Sequence, residues 1–424
     1  MVSRPYRFSA LALALAFAFV FASCAIHAQP TLSLADAQRI ATGDAPQIDA
    51  QAAALRAAQQ SSLGAAELPD PKLILGIDNI PTDGPDRFNL TREFMTMRKI
   101  GFMQDFTRSE KLKLRGDRAG AEVLKETAIL ALTKVNLRRD VALAWIERHF
   151  AERQLALVKE LAREGELQVT AAVATLAGGK GMAADPFAAR LAVAQLADRS
   201  TEAERNIARA EANLARWIGA AARQPLAAAP AFDQLTHSHQ DLIGNLADHP
   251  HLAMYAPLQA MATSEMNLAD AAKRPDWTLE VAFAQRGPAF SNMLSIGVRI
   301  DLPIFQSRRQ DPLVASKLAL IEQVRAQAED ARRVHTAEVE TMLADWNAAK
   351  TRVQRYAADL LPLAHERTAV SLASYRGGKG DLAPVLDARK GEIETRMNHL
   401  QAQSDLARAW AQLNFLLPDK KDPS

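Results

Sequence analysis

From Trp277 the chain alternates. Trp277, Leu279, Val281 and Phe283 are large and apolar, and Thr278, Glu280, Ala282 and Ala284 between them are polar or small. Leu294, Ile296, Val298 and Ile300 repeat the pattern against Ser295, Gly297, Arg299 and Asp301. Period-two spacing sends each kind of side chain to its own face of a strand. The pattern predicts strands over Trp277 to Arg286 and Met293 to Leu302, joined through Gly287-Pro288. Each run has about the 10 residues a tilted strand needs to cross a bilayer, although a soluble hairpin alternates in the same way. A less regular pair is predicted over Lys72 to Ile80 and Met95 to Phe106, joined by the polar segment 81–94 and interrupted by Asp78 and Arg98.

Elsewhere the period is helical. Residues 34–68 have helical composition and stop at Pro69; 107–177 contain no proline, and 313–376 contain only Pro362. A helix over 107–177 would be about 100 Å long at ~1.5 Å per residue, too long for a compact domain. Val339, Met342, Trp346, Ala349, Val353, Tyr356, Leu360 and Leu363 recur at strict 3-4 spacing, the mark of a supercoiled seam. Leu130, Leu137, Val141, Ala144, Ala151, Leu155, Val158 and Ala162 follow the same grid, with Lys134 and Arg148 at its remaining points.

The two halves repeat each other at an offset of about 200 residues. Asp44-Ala45-Pro46 parallels Asp248-His249-Pro250, Ile100-Gly101 parallels Ile296-Gly297, and Gly178-Gly179-Lys180-Gly181 recurs as Gly377-Gly378-Lys379-Gly380. Each half reads as helix, two strands, a very long helix, a tight glycine turn and a returning helix. The expected divisions are a first repeat at 29–219, a connector at 220–240 containing Pro225 and Pro230, a second repeat at 241–417, and a tail at 418–424.

Composition narrows the function classes. Hydrophobic residues make up 48% of the chain and aromatics only 6%, which favours closely packed helices. The net charge is +2, with the basic residues dispersed, so nucleic-acid binding is not expected. Arg4 and Arg7 precede an apolar run from Phe8 to Ala22, the pattern of an export signal. Cleavage after Ala28 would make 1–28 the signal peptide. Cleavage before Cys24, after the lipobox-like Phe21-Ala22-Ser23, would instead make that sole cysteine a lipidation site. No later segment has the apolar length of a spanning helix, so entry into a membrane must be by strands. Four strands cannot close a barrel, for which about 8 is the minimum; three copies would supply twelve.

The stretch Tyr375-Arg376-Gly377-Gly378-Lys379-Gly380-Asp381-Leu382-Ala383-Pro384-Val385-Leu386-Asp387-Ala388 resembles the helix–turn–helix tip of TolC-type outer-membrane efflux channels, Y-x-x-G-x-x-x-x-x-x-V-L-D-A. The resemblance extends from about residue 31 to Leu417. It implies a mostly α fold with a small β part: two tandem repeats, long coiled-coil hairpins forming a periplasmic tunnel, and four strands per chain in a trimeric twelve-stranded barrel. It further implies a homotrimer in outer-membrane lipid, opening to the periplasm, with an adaptor protein and an inner-membrane pump of the RND type as partners. By the same resemblance Gly178, Gly179, Lys180 and Gly181, with Gly377, Gly378, Lys379 and Gly380, are the adaptor-contacting tips. Asp387 matches a position of the family's charged tunnel mouth, with Asp185 in the corresponding column of the first repeat. Helix N-terminal capping is the competing reading of both aspartates. The family's second aspartate is replaced by Pro384, and its basic closing residue by Gly380.

Met95 to Phe106, followed by Lys111, Leu112 and Arg115, looks like the heavy-metal branch. His237, His239, His249 and His251 gather near the connector without a cysteine or carboxylate to complete a metal site, and are read as a solvated loop. Neither glycine turn is a phosphate loop, and no hydrolase or metalloprotease motif is present. The expected function is therefore a passive exit duct, with no catalytic residues, resident metal or cofactor. Drug efflux and type I protein secretion are the alternative cargoes. A periplasmic coiled-coil adaptor or scaffold is the alternative class.

Overall fold

A computed structural model describes residues 31–418, apart from 180, 245, 247, 248 and 378. Ser33 opens the first helix, α1 (Leu34–Gly43), by accepting from the Asp36 amide at 3.0 Å. The expected single helix over 34–68 is two, because Pro46 starts α2 (Pro46–Gly64) and Ala45 before it is held in extended conformation. Strands β1 (Lys72–Asp78) and β2 (Met97–Phe106) follow. Helix α3 (Ser109–Ala177) runs unbroken for 69 residues, about 100 Å at ~1.5 Å per residue. It reverses into α4 (Asp185–Ile218).

The second half contains short helices α5 (His239–Ile243) and α6 (Pro250–Ala253), then α7 (Tyr255–Ala271). Next come β3 (Trp277–Gln285) and β4 (Met293–Ile300), and helix α8 (Gln310–Arg355). A single π turn, Tyr356–Leu360, joins α8 to α9 (Leu361–Arg376), and α10 (Leu382–Asn414) returns. The π turn lies just before Pro362, which lacks an N–H and crowds the carbonyl four residues back; the wider turn relieves both faults.

That turn also corrects the seam read from the sequence. Val339 and Ala349 are buried as the grid requires, but Leu360 and Leu363 are 39% and 62% exposed. The inward positions become Leu361, Ala364, Thr368, Leu372 and Tyr375, because one extra residue in the turn rotates the face by one position. In α3 the grid holds at Leu137, Val141, Ala144, Arg148, Ala151 and Val158, all buried.

The main core lies around the middle of α3. Trp145, Val141 and Ile146 pack there with Leu32, Ala37, Leu214, Trp410 and Phe415. Three indoles tie irregular backbone to the helices. Trp145 donates to the Leu32 carbonyl at 3.1 Å, Trp346 to Phe232 at 3.0 Å and Trp410 to Gln234 at 2.8 Å. Leu32 also bridges to Leu226 in parallel. The segment near Leu32 and the stretch 225–235 thus form a belt across the hairpins, its carbonyls satisfied by ring N–H groups.

Candidate functional site

The four strands form one antiparallel sheet in the order β1-β2-β3-β4. The central pair, β2 and β3, joins the two repeats. Registered partners share a face, so Leu75, Ile100, Phe283 and Leu294 make one apolar row across the sheet. Leu73, Phe102, Val281 and Ile296 make the next, and all eight side chains are exposed. Phe106 and Trp277 stack at the helical end of the same face, centroids 4.2 Å apart.

The opposite face is small or polar. Ile74, Gly101, Ala282 and Ser295 form a row in which a Cβ on Gly101 would lie 2.7 Å from that of Ala282. Lys99 pairs with Glu280 at 2.7 Å, and Asp105 accepts from Lys72 at 2.8 Å and from Thr278 at 2.7 Å. Asp78 lies on this polar face opposite Met97, so it does not interrupt the apolar one; Arg98 does, opposite Gln285 near the strand end. Beyond the sheet, Arg286 donates to the carbonyls of Ser291 (2.7 Å) and Phe94 (3.2 Å), joining the two hairpin loops. Gly287 rests so closely on the Thr91 carbonyl that any Cβ would collide with it.

At the far end the glycine turns reverse the long helices. Gly179 has φ +73°, which glycine adopts freely. Gly178 and Gly377 cap their helices in ordinary right-handed conformation, donating to Ala174 and Ala373. A Cβ on Gly181 would be tight against Leu176 and Asp185, whereas one on Gly380 would meet only ordinary contacts. Lys379 donates its backbone N–H to the Ser374 carbonyl at 3.0 Å, closing the second turn. Lys180 and Gly378 lie outside the described residues. Ala172 and Ala189 of the first hairpin pack with Leu382 and Val385 of the second, so the two tips meet.

Residues 245–418 match the family model described as outer membrane efflux protein. The second repeat belongs to the outer membrane efflux protein family. Solved structures extend the likeness of fold to the whole described chain. It resembles CusC with TM-score 0.79 at 16% identity, over 92% of this chain and 93% of that one. A membrane protein from Pseudomonas aeruginosa gives 0.79 at 17%, over 91% and 90%. VceC from Vibrio cholerae gives 0.75 at 17%, over 90% and 95%. No curated protein matches the sequence significantly. The TolC-type fold expected from the sequence is the one observed.

The charged residues near the tips occupy distinct surroundings. Asp185 is the first residue of α4 and accepts from the Met182 amide at 3.0 Å. Asp387 lies beyond the first turn of α10, exposed, with Arg367 at 2.6 Å. Deeper in the hairpins is a cluster that sequence reasoning missed. Glu392, 1% exposed, accepts from Arg389 and Arg396, each at 2.9 Å, and lies 3.2 Å from His365. Arg389 also donates to Glu164 of α3, fastening α10 to the first hairpin. Burial pushes the Glu392 carboxyl up, but bonds from Thr368, His365 and Arg389 outweigh it and hold it below the usual range. The sequence signal was an i, i+3 and i, i+4 charge pattern, Arg389-Glu392-Arg396, indistinguishable from a solvated face.

The histidines depart from the solvated-loop expectation. His239 is exposed, but His237 and His249 are buried. His249 Nδ1 lies 2.8 Å from Nε2 of His335 on α8, and the His251 ring stacks on His335. Burial, then the neighbouring His249 and His251, lower His335 to about 4. Among the described residues no three His, Cys or acidic side chains are arranged to hold a metal ion.

Proposed function

We propose that three copies of this chain close a twelve-stranded barrel in the outer membrane of a Gram-negative bacterium, continued by an α-helical tunnel in the periplasm. The observation that carries the proposal is the sheet. It has an exposed apolar face, a polar opposite face, and free edges at β1 and β4. Pairing β4 of one copy with β1 of the next satisfies both edges and leaves a polar lumen. No described helix is long and apolar enough to cross a membrane, which leaves spanning to the strands.

The duct is passive, fed by a periplasmic adaptor and an inner-membrane pump of the RND type. The adaptor meets the glycine tips, where Gly380 leaves the backbone open to close approach. Asp185 and Asp387 line the mouth, Asp387 with its charge offset by Arg367. The cargo we propose is heavy-metal cations, on the resemblance of Met95 to Phe106 and the basic start of α3 to that branch. Deleting the gene tests the cargo. The expected result is raised sensitivity to copper, zinc or cobalt salts with unchanged tolerance of drugs, and the reverse pattern would overturn it.

A further inference from the structure

Two strand-to-helix junctions leave the sheet at its tunnel end, and they treat their side chains differently. In the first, from β2 to α3, every candidate anchor is used within the chain. Phe106 stacks on Trp277, Arg108 donates to the Pro275 carbonyl at 2.8 Å, and Lys111 donates to the Arg274 carbonyl at 2.7 Å and to Asp276 at 2.9 Å. In the second, from β4 to α8, Gln306 donates to the Lys273 carbonyl at 3.3 Å, but the large apolar and basic side chains are left over. Leu302, Ile304 and Phe305 are 68%, 73% and 61% exposed, among the most exposed large apolar side chains of the chain. Arg308 and Arg309 follow at once, exposed, their guanidinium groups without a partner among the described residues.

The segment continues the apolar face of the sheet. Ile296, Val298 and Ile300 point outward along β4, and Leu302 comes next in the alternation. Exposed apolar side chains at the foot of a lipid-facing band, flanked by cations, suit the boundary between hydrocarbon and headgroups. A guanidinium fork matches phosphate oxygens, and two unpaired forks side by side favour a negatively charged headgroup. Asp301 is the acidic residue of the stretch, so its balance stays positive.

We infer that Leu302–Arg309 is a docking surface for anionic glycerophospholipid in the periplasmic leaflet: the apolar side chains enter the hydrocarbon and Arg308 and Arg309 hold the lipid phosphate. This rests on the membrane-spanning role proposed for the sheet.

The test uses the full exported chain carrying Cys24→Ala, with a bimane label on Phe305→Cys or Val298→Cys, in phosphatidylcholine vesicles containing brominated lipid. Quenching at both positions is expected. Quenching at 298 but not at 305 would overturn this inference alone, and a crosslink from 305 to a second copy would identify what covers the segment instead. Quenching at neither would remove the membrane role of the sheet, and the inference with it. Delipidated protein is then offered equal phosphatidylglycerol and phosphatidylcholine, and bound lipid is counted by native mass spectrometry. The wild type should retain a several-fold excess of phosphatidylglycerol, and Arg308→Gln with Arg309→Gln should bring the ratio close to one. An unchanged ratio would overturn the phosphate role.

Discussion

Lys99 of β2 donates to Glu280 of β3 at 2.7 Å, on the polar face of the strand pair where the two repeats join, with Arg299 4.0 Å from the same carboxylate. Removing the carboxylate leaves two cations on the face proposed to line the lumen. Glu280→Gln should therefore shift the reversal potential of single channels in a salt gradient toward anions, and Lys99→Gln toward cations. Equal selectivity in both variants would mean that this face does not line the pore.

Glu392 should matter more to stability than any exposed ion pair. Glu392→Ala removes the buried acceptor shared by Arg389 and Arg396, leaving them only Glu160 and Glu164, and is expected to cost roughly 2 kcal/mol. Arg367→Ala, which breaks the exposed pair with Asp387, should cost well under 1 kcal/mol. Denaturation of the two variants side by side checks the order.

Acid should loosen the packing of the α6 segment on α8, where His249 and His251 meet His335, before it affects the hairpin tips. His335 is lowered from 6.5 to about 4, so the unfolded chain takes up its proton first. The contribution of the neutral cluster is present above about pH 6.5 and is lost as pH falls toward 4. Glu392 has the depressed pKa of a paired carboxylate, and its contribution is lost only at lower pH, below its ordinary 4.5. Thermal melts between pH 7 and pH 4.5 should show a falling midpoint that His335→Phe largely flattens. A slope unchanged in that variant would place the titrating group elsewhere.

Some of this was legible in the sequence and some was not. The strands of the second repeat could be placed within two residues, because alternation against one apolar solvent is a local signal. The long helices were legible from the absence of proline, and their reversal points from glycine. Register was harder: Pro362 was visible, but not the π turn that rotates the face after Tyr356. Long-range pairings left no local trace. His335 is 86 residues from His249, and Glu164 is 225 from Arg389. The connector read as a loop, yet its backbone is held by Trp346 and Trp410 from the distant α8 and α10.

The place of Leu32 bears on Cys24. Leu32 is fixed to Trp145 and Leu226 in the belt. The start of α3 at Ser109, beside the sheet, is about 54 Å away along the helix at ~1.5 Å per residue. The chain from Cys24 to Leu32 spans at most about 28 Å fully extended. Cys24 lies outside the described residues, and on this reach a lipid there would fall short of the bilayer proposed to hold the strands. Cleavage after Ala28 is therefore expected, with a mature chain beginning at Gln29. The intact mass of the exported protein checks this, and a diacylglyceryl cysteine at the N-terminus would contradict it.

The most direct test of the duct is the solubilised mass of the exported protein, measured together with membrane fractionation of the same cells. A channel subunit gives a detergent-requiring complex of three chains in the outer-membrane fraction. A detergent-independent monomer in the periplasm would contradict it, and would make the four strands a soluble hairpin pair on a coiled-coil scaffold.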